Sequence, residues 1–98
     1  MYRIEFTPEA VDDLRSFRKQ DQQQIIAAIE TQLPHQATEE SRNRKRLRPN
    51  QLAEWELRVD EFRVFYDLDA ETAAVKKMEA VGHKRGSKLF VHGEEYEL

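Results

Sequence analysis

The sequence predicts a single α+β domain: an N-terminal strand, an antiparallel two-helix hairpin, then an antiparallel meander of three or four strands with the helices on one sheet face. Three observations predict it. An alternating segment at residues 2–7 comes first. Apolar residues at helical spacing follow between Val11 and Leu33. Three alternating segments, at residues 54–59, 62–67 and 74–81, come last. Helices grouped ahead of a run of strands, rather than interleaved with them, give α+β and not α/β architecture.

Each element has a local reason. Tyr2, Ile4 and Phe6 alternate with Arg3 and Glu5, as in a half-buried strand. Thr7-Pro8 then opens a helix: Thr as N-cap, Pro at the first helical position, Glu9 near the positive end of the dipole. Val11, Leu14 and Phe17 make one apolar stripe through about Arg18. Asp21 and Gln24 have the spacing of a capping box for a second helix. Ile25, Ile26, Ile29 and Leu33 form its buried face, and Pro34 is expected to stop it. So brief a join makes the two helices an antiparallel hairpin. Residues 35–41 are polar, have no period and read as a loop, before the basic run 42–48 and Pro49-Asn50. In the meander, residues 69–72 are a turn and Gly82 is expected to break the third strand. Residues 88–91 are a candidate fourth strand, followed by a His92-Gly93 turn.

Ninety-eight residues, 39% apolar and 36% charged, suit one globular domain over residues 1–98 with a heavily charged surface. The chain has no Cys, which excludes disulfides and thiolate chemistry and suits a reducing cytoplasm. The start lacks an apolar signal core and no run approaches a membrane span, so the expected location is cytoplasmic, with no membrane partner. A net charge of −3 argues against an indiscriminate nucleic-acid binder. The cations are nevertheless clustered, with Arg42, Arg44, Lys45, Arg46 and Arg48 in one group and His83, Lys84, Arg85 and Lys88 in another. Glu94, Glu95 and Glu97 gather at the C-terminus. Local basic patches on a mildly acidic chain point to a defined anionic ligand.

With Asp60-Glu61 as a two-residue turn, Val59 pairs with Phe62, Arg58 with Arg63, Leu57 with Val64 and Trp55 with Tyr66. One face then carries Trp55, Leu57, Val59, Phe62, Val64 and Tyr66, a core surface. Arg58 and Arg63 stand side by side on the other, open face. Like charges directly opposed are destabilising, and an anion between two guanidinium forks would reverse that penalty. The alternative is neutralisation by Glu54, Glu56 or Asp67.

These residues, in this order, resemble the RelE/ParE toxins over roughly residues 2 to 90. The resemblance rests on Ala10-Val11-x-x-Leu14, Ile25-x-x-x-Ile29, Lys45-Arg46-Leu47-Arg48, Trp55-x-Leu57-Arg58-Val59, Phe62-Arg63-Val64-x-Tyr66-Asp67 and Val81-Gly82-His83-Lys84-Arg85. It implies a toxin of a type II toxin–antitoxin pair, with a cognate antitoxin as partner. RelE-like members act on ribosome and mRNA, cleaving mRNA without a metal ion by attack of the 2′-hydroxyl on the neighbouring phosphate. ParE-like members inhibit DNA gyrase instead. Fold alone does not choose between them.

By that resemblance Arg58 and Arg63 are the strand cations at the phosphate, with His83 and Lys84 completing the expected catalytic set. Arg44, Lys45, Arg46, Arg48, Arg85 and Lys88 are expected to grip RNA, and Phe90 to stack on a base. His83 suits acid–base chemistry because it titrates near neutrality, although a lone His after a strand is also a common structural residue. Glu54 and Glu56 are either bases or charge partners of the arginines. RelE carries a lysine where Glu56 falls and a tyrosine where Phe90 falls, and Tyr96 substitutes only if the tail folds back. His35, His92 and the carboxylates lack metal-ligand spacing, and no Gly-rich phosphate loop is present. Neither a metal nor a small-molecule cofactor is expected.

Overall fold

The structure is a computed structural model that describes residues 3–68 and 75–97, with the backbone alone described at Val75 and Lys76. The expected turn at residues 69–72 lies outside the described residues. The elements run β1 (Arg3–Phe6), α1 (Pro8–Arg15), α2 (Lys19–Gln36), β2 (Arg44–Arg46), β3 (Trp55–Val59), β4 (Phe62–Leu68), β5 (Val75–Arg85), β6 (Lys88–Val91) and β7 (Glu94–Tyr96). Among these residues seven strands form one sheet in the order β2-β3-β4-β5-β6-β7, with β1 pairing parallel to β5 and every other pair antiparallel. The α+β class holds, and the meander is longer than predicted, with β2 and β7 added at its two edges.

The helix starts follow from capping, once as predicted and once not. Thr7 Oγ1 accepts the Ala10 N–H at 3.1 Å and donates to the Glu79 carbonyl, also at 3.1 Å. One hydroxyl thus caps α1 and pins it to β5. The capping box predicted at Asp21 and Gln24 does not form. The helix begins earlier, with Arg18 at the N-cap and no side-chain cap bond; Asp21 pairs with Arg18, and Gln24 bonds the Asp60 carboxylate across the fold. Pro34 does not stop α2, which continues to Gln36. In the last turn, Pro removes only the N–H that would reach the Glu30 carbonyl, on an exposed residue.

The main core lies between the helices and one sheet face. Ala10, Leu14, Ile25, Ile29 and Leu33 pack there against Leu57, Val64, Tyr66 and Met78, all buried. The β3–β4 register is the predicted one, from Trp55↔Tyr66 to Val59↔Phe62, with Arg58 opposite Arg63. The other face is less open than expected. Phe65 is fully buried there, with Ala53, Ala80, Leu89 and Val91 around it and Leu47, Leu52 and Tyr96 at its edge.

β5 is the axis of the sheet. β4 pairs with it from Lys76 to His83 on one edge. The other edge is shared, by β1 at residues 75–78 and by β6 at 83–85. Between them the Val81 N–H has no strand to bond, and the buried Asp13 carboxylate on α1 accepts it at 2.9 Å. Gly82 does not break this strand. A Cβ there would sit 2.4 Å from the Phe90 carbonyl oxygen and 2.8 Å from Val91 Cγ2, so glycine is what lets β6 approach.

Candidate functional site

The face away from the helices carries an open groove of about 740 Å³. Six of its lining residues are cations: Lys45, Arg46, Arg48, Arg58, Lys84 and Lys88. One wall is the segment after β2, held in shape by Asn50. Its amide oxygen accepts from Leu52 N (2.7 Å) and Ala53 N (3.0 Å), and its amide nitrogen donates to the carbonyls of Arg48 (2.7 Å) and Ala53 (2.9 Å). With Leu47 N bonded to Glu54 O, the basic segment is a fixed wall rather than a loose loop. The floor is Arg58 with Glu56, and the far side is Lys84, then Leu89 and Tyr96 on the adjoining strands.

The two strand arginines are not equivalent. Glu56 is 5% exposed and lies between them, with Oε2 at 3.1 Å from Arg58 Nε and Oε1 at 3.9 Å from Arg63 Nε. The neutralising partner weighed from sequence is therefore present, and it is Glu56. Arg58 is half-buried, and its side chain lines the groove. Arg63 is folded back onto the turn, where its Nη1 donates to the carbonyls of Asp60 (2.7 Å) and Phe62 (2.8 Å). Burial pulls the Arg63 guanidinium below its ordinary value, Glu56 opposes that shift and Arg58 adds to it. Its buried Nε has no hydrogen-bond partner. Asp60 takes a positive φ of 51°, and the Arg63 fork satisfies the carbonyl of that strained turn residue.

Other predicted site residues are not brought to the groove. His83 pairs with Phe62 on the helix-side face, edge-on to Phe17 (centroids 6.0 Å) and stacked on Phe90 (5.5 Å). The sheet thus separates His83 and Phe90 from Arg58. Arg44 is buried on the helix side, with Nε on the Glu39 carbonyl (3.0 Å) and Nη1 on Gln32 Oε1 (2.5 Å), where it stitches β2 to the end of α2. Arg85 pairs with Lys88 in the register and does not line the groove. Conversely, the tail folds back: β7 pairs with β6, Leu89↔Tyr96, and places Tyr96 on the groove face.

A second charged site lies further along the same face. The register slips between Phe65 and Tyr66, which face Ala80 and Met78 and leave Glu79 as the bulged residue. Burial, and then the hydrogen bond and charge of neighbouring Asp67, push the Glu79 carboxyl up to about 7. The folded chain therefore holds a proton there that the unfolded chain releases near 4.5. Stability from this group is full below about pH 4.5 and falls as pH rises through 7. Glu79→Gln should flatten the decline in melting temperature between pH 5 and 8, gaining about 1 kcal/mol at pH 8 after discounting for solvent screening. An unchanged pH profile would show that Glu79 ionises normally.

A helical hairpin on one sheet face and a groove lined by cations on the other define a small α+β domain, the fold that the resemblance to RelE/ParE toxins implies. Over residues 4–86 the chain matches the family described as ParE toxin of type II toxin-antitoxin system, parDE, and it belongs to that family. It is thus the toxin of a type II toxin–antitoxin pair, with a cognate antitoxin as partner. No curated protein matches the chain. Among the described residues no helix is long and apolar enough to cross a membrane.

Proposed function

We propose that the chain is a ribosome-dependent mRNA endonuclease that stops translation by metal-free cleavage of the RNA backbone. The observation that carries this reading is the grouping of Lys45, Arg58 and Lys84 around Glu56 in one groove. Lys45 and Arg58 hold the scissile phosphate, and Lys84 faces the charge that develops on it. Glu56 takes the proton of the 2′-hydroxyl, whose oxygen attacks phosphorus as the bond to the 5′-oxygen breaks. The Lys84 ammonium gives a proton to the leaving 5′-oxygen, so that the products are a cyclic phosphate and a 5′-hydroxyl. His83, on the opposite sheet face, takes no part.

The test is translation in a cell-free extract with added protein, read by primer extension. Cuts within ribosome-bound codons are expected; intact mRNA at saturating, folded protein overturns the reading. A second reading, inhibition of DNA gyrase, is favoured by the parDE description of the family and by the distance of His83 and Phe90 from the groove. It predicts gyrase-dependent DNA breaks with mRNA left intact, and the same protein sample distinguishes the two.

A further inference from the structure

The basic wall has a second side. Five consecutive residues, Arg46 to Asn50, line both the groove and a recess of about 490 Å³ behind it. The wall is therefore a partition one chain segment thick, and its two arginines can serve either side. The recess carries carboxyl groups: Glu54 at the end of the segment, Asp67 on β4 and Glu79 on the β5 bulge. Asp67 fastens the segment to the sheet, because its Oδ1 accepts the Glu54 N–H at 2.7 Å. Glu79 is held at both ends. Its carbonyl accepts the Thr7 hydroxyl, and its carboxyl is hydrogen-bonded to Asp67. Two carboxyl groups bonded to each other hold one proton between them, so the pair carries a single charge.

That proton leaves near neutrality, since the Glu79 carboxyl is pushed up to about 7. The charged groups around it are Asp67 on β4, Lys77 on its own strand, Glu9 on α1, and Glu54, Arg46 and Arg48 of the wall. Loss of the proton places a second negative charge beside Asp67. Lys77 offsets it in part, and the wall arginines are the other cations at hand. Arg46 already reaches the acidic rim, with Nη2 3.5 Å from Glu54 Oε2, and Arg48 is exposed. We propose that the Asp67–Glu79 pair is a proton-operated latch behind the basic wall: with the proton in place Arg46 and Arg48 serve an anion in the groove, and without it the two carboxylates draw them to the recess. Anion binding is then strongest with Glu79 protonated and weakens as pH rises through 7. Linkage makes the effect reciprocal. An anion in the groove raises the proton affinity of Glu79 by the factor by which that proton raises the affinity for the anion. The latch needs only an anion in the groove, so it goes beyond the choice between RNA and gyrase.

The experiment is fluorescence anisotropy of the full chain with a labelled heparin hexasaccharide, whose sulfates stay ionised throughout, at low salt and from about pH 5.5 to 8.5. Glu79→Gln keeps a hydrogen-bond donor toward Asp67 and never gains the charge. It should equal the wild type at the acid end and bind roughly 5- to 10-fold more tightly at the alkaline end, the low part of the usual coupling range because the recess is open to solvent. Comparison at each pH cancels every titrating group that the two proteins share, and melting curves establish that both are folded. With Arg46→Gln and Arg48→Gln added to both proteins, the alkaline difference should shrink below about twofold, as for sites no longer coupled. Carbon-13 NMR of the Glu79 carboxyl should show its titration midpoint rising when the hexasaccharide is bound. Parallel pH profiles for wild type and Glu79→Gln would overturn the latch, as would an unmoved midpoint. An alkaline difference that survives loss of both arginines would reduce it to a plain field effect and overturn it too. So would a wild type that binds no hexasaccharide at any pH. A chain that leaves mRNA intact can still pass every arm of this test, so the two readings fail separately.

Discussion

Arg58→Ala should slow ribosome-dependent mRNA cleavage by roughly 10²- to 10³-fold, the range for removing one preorganised donor from a developing charge. Arg58 is the strand arginine whose side chain lines the groove, and among the described residues its one carboxylate partner, Glu56, holds it through Nε, leaving the terminal nitrogens for phosphate. The substitution also strands Glu56 with Arg63 at 3.9 Å as its remaining partner, and should cost about 1–2 kcal/mol. The double variant Arg58→Ala with Glu56→Gln should recover that stability and stay inactive. Arg63→Ala should do the reverse, destabilising the Asp60 turn while folded molecules keep most of their cleavage rate. Cleavage by Arg58→Ala at more than half the wild-type rate would remove the groove from the chemistry.

The largest effect on stability is expected at Asp13. Its two oxygens are divided between the Val81 N–H, in the gap between β1 and β6, and His92 in the β6–β7 turn. Asp13→Ala leaves a buried backbone donor unsatisfied and frees the hairpin, at a cost of about 2–3 kcal/mol. For a chain of this length that lowers the melting temperature by roughly 10–20 °C. Asp13→Asn keeps one acceptor oxygen and should lose about half as much. Thermal denaturation of the three proteins at one pH decides the matter; a drop of only a degree or two for Asp13→Ala would mean that water replaces the carboxylate freely.

Much of this was legible along the chain. The β3–β4 register follows from alternation and the turn, because slipping either strand by one residue would turn its core face to solvent. Thr7-Pro8 marks its helix for equally local reasons. What stayed hidden needed distant partners. β2 is Arg-Lys-Arg, without alternation, and exists because Leu57 and Trp55 pair beside it. Phe65 alternates correctly onto the groove face, but only the folding of the 47–53 segment over it makes it core. The side of the sheet that His83 occupies was within reach. Reading Gly82 as a strand break hid the continuation that pairs His83 with Phe62. The sequence brings Tyr96 to the site only if the tail folds back, and no local signal reports the Asp13–His92 tether that anchors its hairpin.

The shared edge of β5 has a consequence for synthesis. Among the strands of this sheet β1 is made before the others, and it finds its partner only when residues 75–78 appear; such long-range pairing forms late. The groove draws on Lys45 and Arg58 in the middle of the chain, then on Lys84 and Tyr96 near its end. A growing chain thus has no assembled groove until Lys84 and the two strands after it have been made. An antitoxin made beforehand has that whole interval in which to be waiting.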